Sequence, residues 1–391
     1  LSPATPTIST APCRTASATR VTRTARSSAR TRRRASSPGE QPDTETHKSR
    51  SKTLEDWTAL AAGLEFPRRA FIGGEFTDAA SGATFDTVNP ATGRVLTAVA
   101  RTDEADVERA VAAARAAFDD GRWSRRAPAE RKAVLQRFAD LIDRDRDQLA
   151  LLETVDMGKP IGDSTTIDIP GAARCIRWYA EAIDKVYDEV APTPHDQLGL
   201  ITREPVGVVA CIVPLNFPLL MAAWKIGPAL ATGHSVSLKP SETSPLTALH
   251  VARLAAEAGL PDGVFNVLPG YGDTGAALAL HGDVDCVAFT GSTAVGKKVM
   301  QAAGQSNMKR TWLECGGKSP NVVFADCPDI DAAVQAAGYG IFFNQGEMCS
   351  AASRLIIDER IKEEFLEKLV AFGRTMAPGN PLDPDTRMGA I

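Results

Sequence analysis

The 391-residue chain has no C-x-x-C pair: its seven cysteines, Cys13, Cys175, Cys211, Cys286, Cys315, Cys327 and Cys349, are odd in number and scattered, most of them inside apolar runs. That pattern excludes a disulfide framework and fits the reduced thiols of a cytoplasmic protein. The five histidines, His47, His195, His234, His250 and His281, never fall at H-x-x-x-H or a related ligand spacing, so metal chemistry has no support. No apolar run is long enough to cross a bilayer; the stretch from Val206 meets Pro214, Asn216, Pro218 and then Lys225. No G-x-G-x-x-G follows the first strand-like run of the alternating region, which an ordinary Rossmann dehydrogenase usually shows.

With 43% apolar residues, the chain can bury a substantial core and is long enough for two or three domains. Its net charge of -4 conceals an asymmetry: residues 1–53 carry nine Arg and two Lys against three acids, leaving 33 basic against 45 acidic residues elsewhere. An acidic body gives no long-range attraction to nucleic acid, so neither a nucleic acid nor a membrane is expected as a partner. The first 53 residues are rich in Arg, Ser, Thr and Ala, hold no acid before Glu40 and show no periodic apolar pattern. A disordered tail is expected there, with a composition resembling a transit peptide, although a misplaced start site explains it more simply.

Phe71-Ile72-Gly73-Gly74-Glu75-Phe76 reads as a hairpin with a Gly-Gly turn, and Asn89-Pro90-Ala91-Thr92-Gly93 as a second turn between strands. Val107, Ala110, Val111, Ala114 and Phe118 share one helical face, as do Val134, Leu135, Phe138, Leu141 and Ile142. Strand-like and helix-like segments then alternate: strands over 206–213, 235–238, 265–268, 286–290 and 311–314, with helices near 219–231, 246–258 and 293–303 between them. Such alternation predicts an α/β fold, a parallel sheet covered on both faces, with ligands gathered at the carboxyl ends of the strands. Pro214, Lys239, Gly270 and Gly291 stand at those ends. A further helix is expected over 361–374.

Three segments carry chemistry. Cys349 lies in Phe342-Phe343-Asn344-Gln345-Gly346-Glu347-Met348-Cys349-Ser350, Glu314 in Glu314-Cys315-Gly316-Gly317-Lys318, and Asn216 in Asn216-Phe217-Pro218. A thiolate attacks carbonyls, a carboxylate activates water and an Asn amide donates to an oxyanion, so together these types suffice for covalent attack and hydrolysis. Read singly, Cys349 is equally a buried structural cysteine, Glu314 a solvated strand-end acid and Asn216 a turn residue between prolines. Gly291-Ser292-Thr293-Ala294-Val295-Gly296-Lys297 opens a helix after a strand, where backbone N–H groups could receive a pyrophosphate. It imitates a P-loop, but Lys298 stands where Ser or Thr would be needed for Mg²⁺, so an NTPase is not expected.

In these segments the chain resembles the aldehyde dehydrogenase superfamily. The match runs from about Leu54 to Ile391 and takes in, in family order, Pro214 to Pro218, Lys239-Pro240-Ser241-Glu242, Phe289-Thr290-Gly291-Ser292, the Glu314 segment and the Cys349 segment. Ile169-Pro170-Gly171-Ala172-Ala173-Arg174, the run from Trp178 to Tyr187, and Ser306-Asn307-Met308-Lys309-Arg310 are similar to the bacterial branch that oxidises γ-glutamyl-aminobutyraldehyde and related ω-amino or guanidino aldehydes in polyamine and arginine breakdown. The resemblance implies a Rossmann-type NAD-binding domain over 54–312, a β oligomerisation arm over 187–204, and a catalytic domain from 313 that stops about a hundred residues short of the family's usual end. The expected reading is thus a C-terminally truncated fragment of a homodimer or homotetramer.

The same resemblance implies roles. Cys349 would attack the aldehyde to give a thiohemiacetal, and loss of hydride to the nicotinamide would leave a thioester that Glu314 hydrolyses through water. Asn216 and the Cys349 N–H would hold the oxyanion. Pro214, Lys239, Glu242, Gly270, Gly291, Ser292 and Gly296 would contact NAD, with Glu242 disfavouring but not forbidding the 2'-phosphate of NADP. Phe217 and Trp224 would line the aldehyde tunnel, and Asp168 would stand at its mouth to attract a cationic tail. Asp168 is equally a helix N-terminal acid favoured by the dipole. The chain departs from the common pattern at Leu215 for Trp, at Cys315 for Leu, and at Glu347 and Met348 before the nucleophile. A CoA-acylating enzyme, in which CoA would replace the water that Glu314 activates, and a non-catalytic relative on the same fold are the alternatives.

Overall fold

The computed structural model describes residues 52–391. The disordered tail expected over residues 1–53 lies, except for its last two positions, outside the described residues. In chain order the strands are β1 (Ala70–Ile72), β2 (Glu75–Thr77), β3 (Thr84–Asn89), β4 (Arg94–Ala100), β5 (Glu189–Ala191), β6 (Gly199–Ile201), β7 (Val208–Ile212), β8 (Ser235–Lys239), β9 (Phe265–Val267), β10 (Cys286–Gly291), β11 (Arg310–Cys315), β12 (Pro320–Val323) and β13 (Arg354–Ile357).

Seven of them form one sheet in the order β11-β10-β7-β8-β9-β1-β2. The five strands from β7 to β11 are parallel, and the β1–β2 hairpin closes the far edge antiparallel through Phe71 opposite Val267. Gly73 and Gly74 make the hairpin turn at φ of 63° and 97°, a conformation that a side chain would strain. β7 and β8 are buried at every residue, as strands covered by helices on both faces must be. All of the elements read from periodicity are present, with no end shifted by more than two residues. The helix Glu104–Asp119 buries Val107, Ala110, Val111 and Ala114, and Pro128–Arg144 buries Leu135, Phe138, Leu141 and Ile142. Asp103 starts the first of these with a reciprocal capping box to Asp106. Each large side chain buried in these stripes stabilises the fold by roughly 1.5–3 kcal/mol relative to exposure.

β5 and β6 pair as an exposed antiparallel hairpin within the 187–204 segment. The parallel pair β12–β13 forms a second small sheet with its own apolar cluster, in which Phe365 of the helix Lys362–Arg374 is fully buried. The expected domain boundary between residues 312 and 313 falls inside β11, so Glu314 rides on the last strand of the large sheet.

Candidate active site

The strand order places β7 at the turning point of the large sheet. β8 and β9 follow it on one side, while the chain returns to lay β10 and β11 on the other. Connections leaving β7 and β10 therefore diverge to opposite faces, and the crevice at their carboxyl ends is where open α/β sheets bind ligands. Register aligns the ends: Ile212 lies opposite Lys239, Thr290 opposite Glu314 and Gly291 opposite Cys315. Pro214, Lys239, Gly291 and Glu314 thus come together on one rim.

The loop after β7 and the Cys349 loop are tied to each other by amides. Asn216 Nδ2 donates to the Glu347 carbonyl at 2.7 Å, and Asn344 Nδ2 donates to the Asn216 carbonyl at 2.9 Å. A primary amide has two N–H groups, so this contact orients Asn216 and leaves one for another acceptor. Asn344 and Gln345 both adopt left-handed backbone, at φ of 52° and 58°. Two such non-glycine residues in succession cost strain, which the reciprocal amide clamp on buried Asn344 helps to hold. Cys349 is exposed at the end of this loop. A Cβ at Gly317 would lie 3.9 Å from the Cys349 carbonyl oxygen, so the Glu314-Cys315-Gly316-Gly317 segment runs directly against the Cys349 backbone.

Two lysines stand at the strand ends. Lys239, 5% exposed, donates to Glu242 at 3.1 Å, and burial lowers its pKa against the opposing pull of that carboxylate. A buried cation beside a half-buried carboxylate suits the vicinal hydroxyls of a ribose. Lys225 is almost fully buried on the helix Pro218–Ala231 and donates to Thr290 Oγ1 at 2.5 Å. Burial lowers its pKa, while the charges of Cys211 and Glu314 act in the opposite sense. The sequence reading passed over Lys225, although a lone cation in an otherwise apolar helix is a signal. Asn344 was likewise missed; nothing in its spacing marks it.

At the pyrophosphate candidate, Ser292 caps the helix Thr293–Gln305 by accepting from Val295 N–H at 3.3 Å. A Cβ on Gly296 would come within 3.1 Å of Cys315 Sγ, so the small Cys315 side chain packs against that helix. At Gly270 a Cβ would collide with Thr274 Oγ1 at 2.2 Å, so packing against Thr102 and Thr274 already requires glycine there. The strand-end carboxyl rim, the Lys239–Glu242 pair and the capped helix start are donor sets that fit a dinucleotide.

One expected position differs. Asp168 is not at an exposed mouth: its side chain is fully buried and accepts from Lys159 Nζ at 2.9 Å, because the π-helical turn Ser164–Asp168 directs it inward. Trp224 is 51% exposed, whereas Phe217 is buried with its ring 6.4 Å from that of Phe343. Among the described residues no cluster of three His, Cys, Asp or Glu could hold a metal, and no helix is long and apolar enough to cross a membrane.

The family model "Aldehyde dehydrogenase family" matches residues 76–391. This chain belongs to the aldehyde dehydrogenase family. It is 56% identical over 336 residues to the NADP/NAD-dependent aldehyde dehydrogenase PuuC of Escherichia coli (strain K12), covering 86% of this chain and 68% of that protein. The aminoacetaldehyde dehydrogenase of Pseudomonas aeruginosa is 52% identical over 338 residues, with the same two coverages. Among solved structures, the γ-glutamyl-γ-aminobutyraldehyde dehydrogenase of Burkholderia cenocepacia J2315 superposes with a TM-score of 0.86 at 64% identity, over 87% of this chain and 69% of that one. The P. syringae indole-3-acetaldehyde dehydrogenase AldA, in complex with NAD+ and IAA, superposes with a TM-score of 0.86 at 61% identity and the same coverages. The aldehyde dehydrogenase fold is thereby shared across nearly all of the described residues.

Proposed function

We propose that this aldehyde dehydrogenase chain oxidises an ω-amino, guanidino or γ-glutamylamino aldehyde to its carboxylic acid with NAD, NADP being a poorer alternative. The observation that carries the reading is the joining of Asn216, the Cys349 loop and the Glu314 segment at the crevice between β7 and β10. Support for the substrate class comes from the relatives whose names are those of aminoaldehyde dehydrogenases.

In this mechanism Cys349 Sγ, as thiolate, forms a bond to the aldehyde carbon, and the carbonyl oxygen becomes an oxyanion. The second N–H of Asn216 and the Cys349 N–H receive that oxygen, which stabilises the charge where it develops. NAD, which Lys239 and Glu242 would hold at the adenosine ribose and the Gly291-Ser292 helix start at the pyrophosphate, would supply the acceptor for the hydride; as the oxyanion collapses to a carbonyl, the C–H bond of the aldehyde carbon breaks and the Cys349 adduct becomes a thioester. Glu314 then takes a proton from water, the resulting hydroxide attacks the thioester carbon, and the C–S bond breaks to release acid and regenerate the thiolate. Pro214, Gly270 and Gly296 serve as the close-packed walls of the cofactor crevice, and Phe217 and Trp224 as aromatic contacts of the aldehyde side.

We assign the large sheet to dinucleotide binding and the segment from β12 onward to the catalytic domain. The β5–β6 hairpin, with exposed Val190, Leu200 and Ile201, is assigned to pairing with a second subunit in a homodimer or homotetramer. The cytoplasm is the proposed location. Following NADH formation in rapid-mixing experiments tests the chemistry: Cys349→Ser should give none, and Glu314→Gln should give one burst of NADH and then stall. Normal steady turnover by Glu314→Gln would remove Glu314 as the deacylation base, and CoA-dependent release of acyl-CoA would favour the acylating alternative.

A further inference from the structure

Directly beneath the Asn216-Phe217-Pro218 turn lies a set of charges that the proposed mechanism does not use. Lys159 has no exposure at all, yet it is placed by three contacts: Asp168 Oδ1 at 2.9 Å, Glu153 Oε1 at 3.7 Å and the centre of the Phe217 ring at 3.8 Å from Nζ. Glu153 is equally buried and faces the Leu219 N–H, in the first turn of the helix that begins right after Phe217, without reaching full hydrogen-bond geometry. The Lys159 charge also reaches Glu347, whose carbonyl accepts from Asn216.

A desolvated lysine is costly unless its surroundings return the energy, and a fold that needed only volume here would use Leu or Met. Two buried carboxyls against one ammonium leave one negative charge too many. Burial accordingly pushes Glu153 up to about 8 and raises Asp168 as well, so the pair retains a proton. The cation is thereby held in place by Asp168 and Glu153 and lies over the face of the Phe217 ring. A cation–π contact is strongest without competing water, so this one favours one orientation of the Phe217 ring over its alternatives.

We propose that Lys159 is a positioning residue for the oxyanion donor: by gripping the Phe217 ring it sets the turn that aims the Asn216 amide between the Glu347 carbonyl and the substrate oxygen. This rests on the reading of Asn216 as that donor. Lys159 touches neither substrate nor cofactor in this scheme and acts only through its neighbour. A displacement of about 1 Å in a catalytic group can cost up to 100-fold in rate, so loss of the grip should appear in kcat rather than in KM.

A double-mutant cycle on the full chain tests it, reading the burst rate of NADH formation, KM and the melting temperature. Asn216→Ala should slow the burst roughly 100-fold. Lys159→Met should slow it roughly tenfold with KM changed less than about threefold, and in the Asn216→Ala background the same change should cost less than about twofold. Phe217→Leu, which removes the ring and leaves the ion pair, should show the same loss of coupling and serves if Lys159→Met fails to fold. Full additivity with Asn216→Ala, for either variant, would overturn the proposal, as would an unchanged burst in folded Lys159→Met while Asn216→Ala is slow. An unchanged burst in Asn216→Ala would instead overturn the reading of Asn216 itself.

Discussion

The central strands and the strands that lead to the thiol are built to different rules. Every residue of β7 and β8 is buried, whereas β11 alternates exposed and half-buried residues, and β12 and β13 keep only Val323 buried. Trp312, Val322, Phe324 and Ile356 are all exposed on this second part. Proposed cofactor groups such as Lys239 therefore sit at the ends of strands that cannot shift without disturbing the core. Cys349, the proposed nucleophile, is presented by a strained loop whose position depends on a few amide contacts to Asn216. Rigidity at the crevice comes from hydrophobic packing, and at Cys349 it comes from directed hydrogen bonds.

That contrast can be broken most sharply by stability measurements. Phe265→Ala, at a fully packed position on β9, should cost about 3–5 kcal/mol and lower the urea midpoint accordingly. A cost under 1 kcal/mol would show that the large sheet is not the rigid half. A smaller effect is expected at Asp156, which is fully buried and accepts from the Thr87 hydroxyl at 2.5 Å and the Leu246 N–H at 2.9 Å. Burial pushes its carboxyl up to about 7, above its ordinary value of 3.8. The folded state thus binds the proton more tightly, so this group's contribution is fully present below about pH 4 and is lost as pH rises toward 7. Asp156→Asn should flatten the decline across that window by on the order of 1–2 kcal/mol, read by denaturation at pH 5 and pH 8. An equal offset at both pH values would contradict the assignment. The smallest change is expected from Trp312→Ser, at 68% exposure, which should alter stability by less than about 0.5 kcal/mol in the same denaturation series. A loss rivalling that of Phe265→Ala would place β11 in the rigid half as well.

Much of the architecture was legible because short apolar runs and amphipathic helices alternate strongly enough to name each strand from β7 to β11 and three of the four helices between them; the short helix Gly272–Leu280, between β9 and β10, was not read. The β1–β2 hairpin was legible from its two glycines, but not its docking on β9, which depends on Phe71 meeting Val267 across the sheet. The parallel pairing of β12 with β13 was hidden for the same reason: its two partners lie about 30 residues apart, and neither is continuous enough in apolar character to announce itself. Of the candidate site, the motifs single out Cys349, Glu314 and Asn216 as candidates. Asp168 was placed wrongly because a one-dimensional pattern cannot distinguish a helix-end acid facing outward from one turned onto a buried lysine.

Residue chemistry was thus settled by the sequence alone: one thiol, one carboxylate and one amide in family order, and a sheet whose strand ends collect polar groups. Which of those groups share a crevice was decided only in three dimensions, by the return of the chain to lay β10 beside β7. The same is true of Lys159, Lys225 and Asn344, ordinary letters in the chain that gain their importance from burial. Side-chain charge and shape are properties of each residue, but desolvation and the direction of a hydrogen bond are properties of its neighbours, and those are fixed only when distant segments pack.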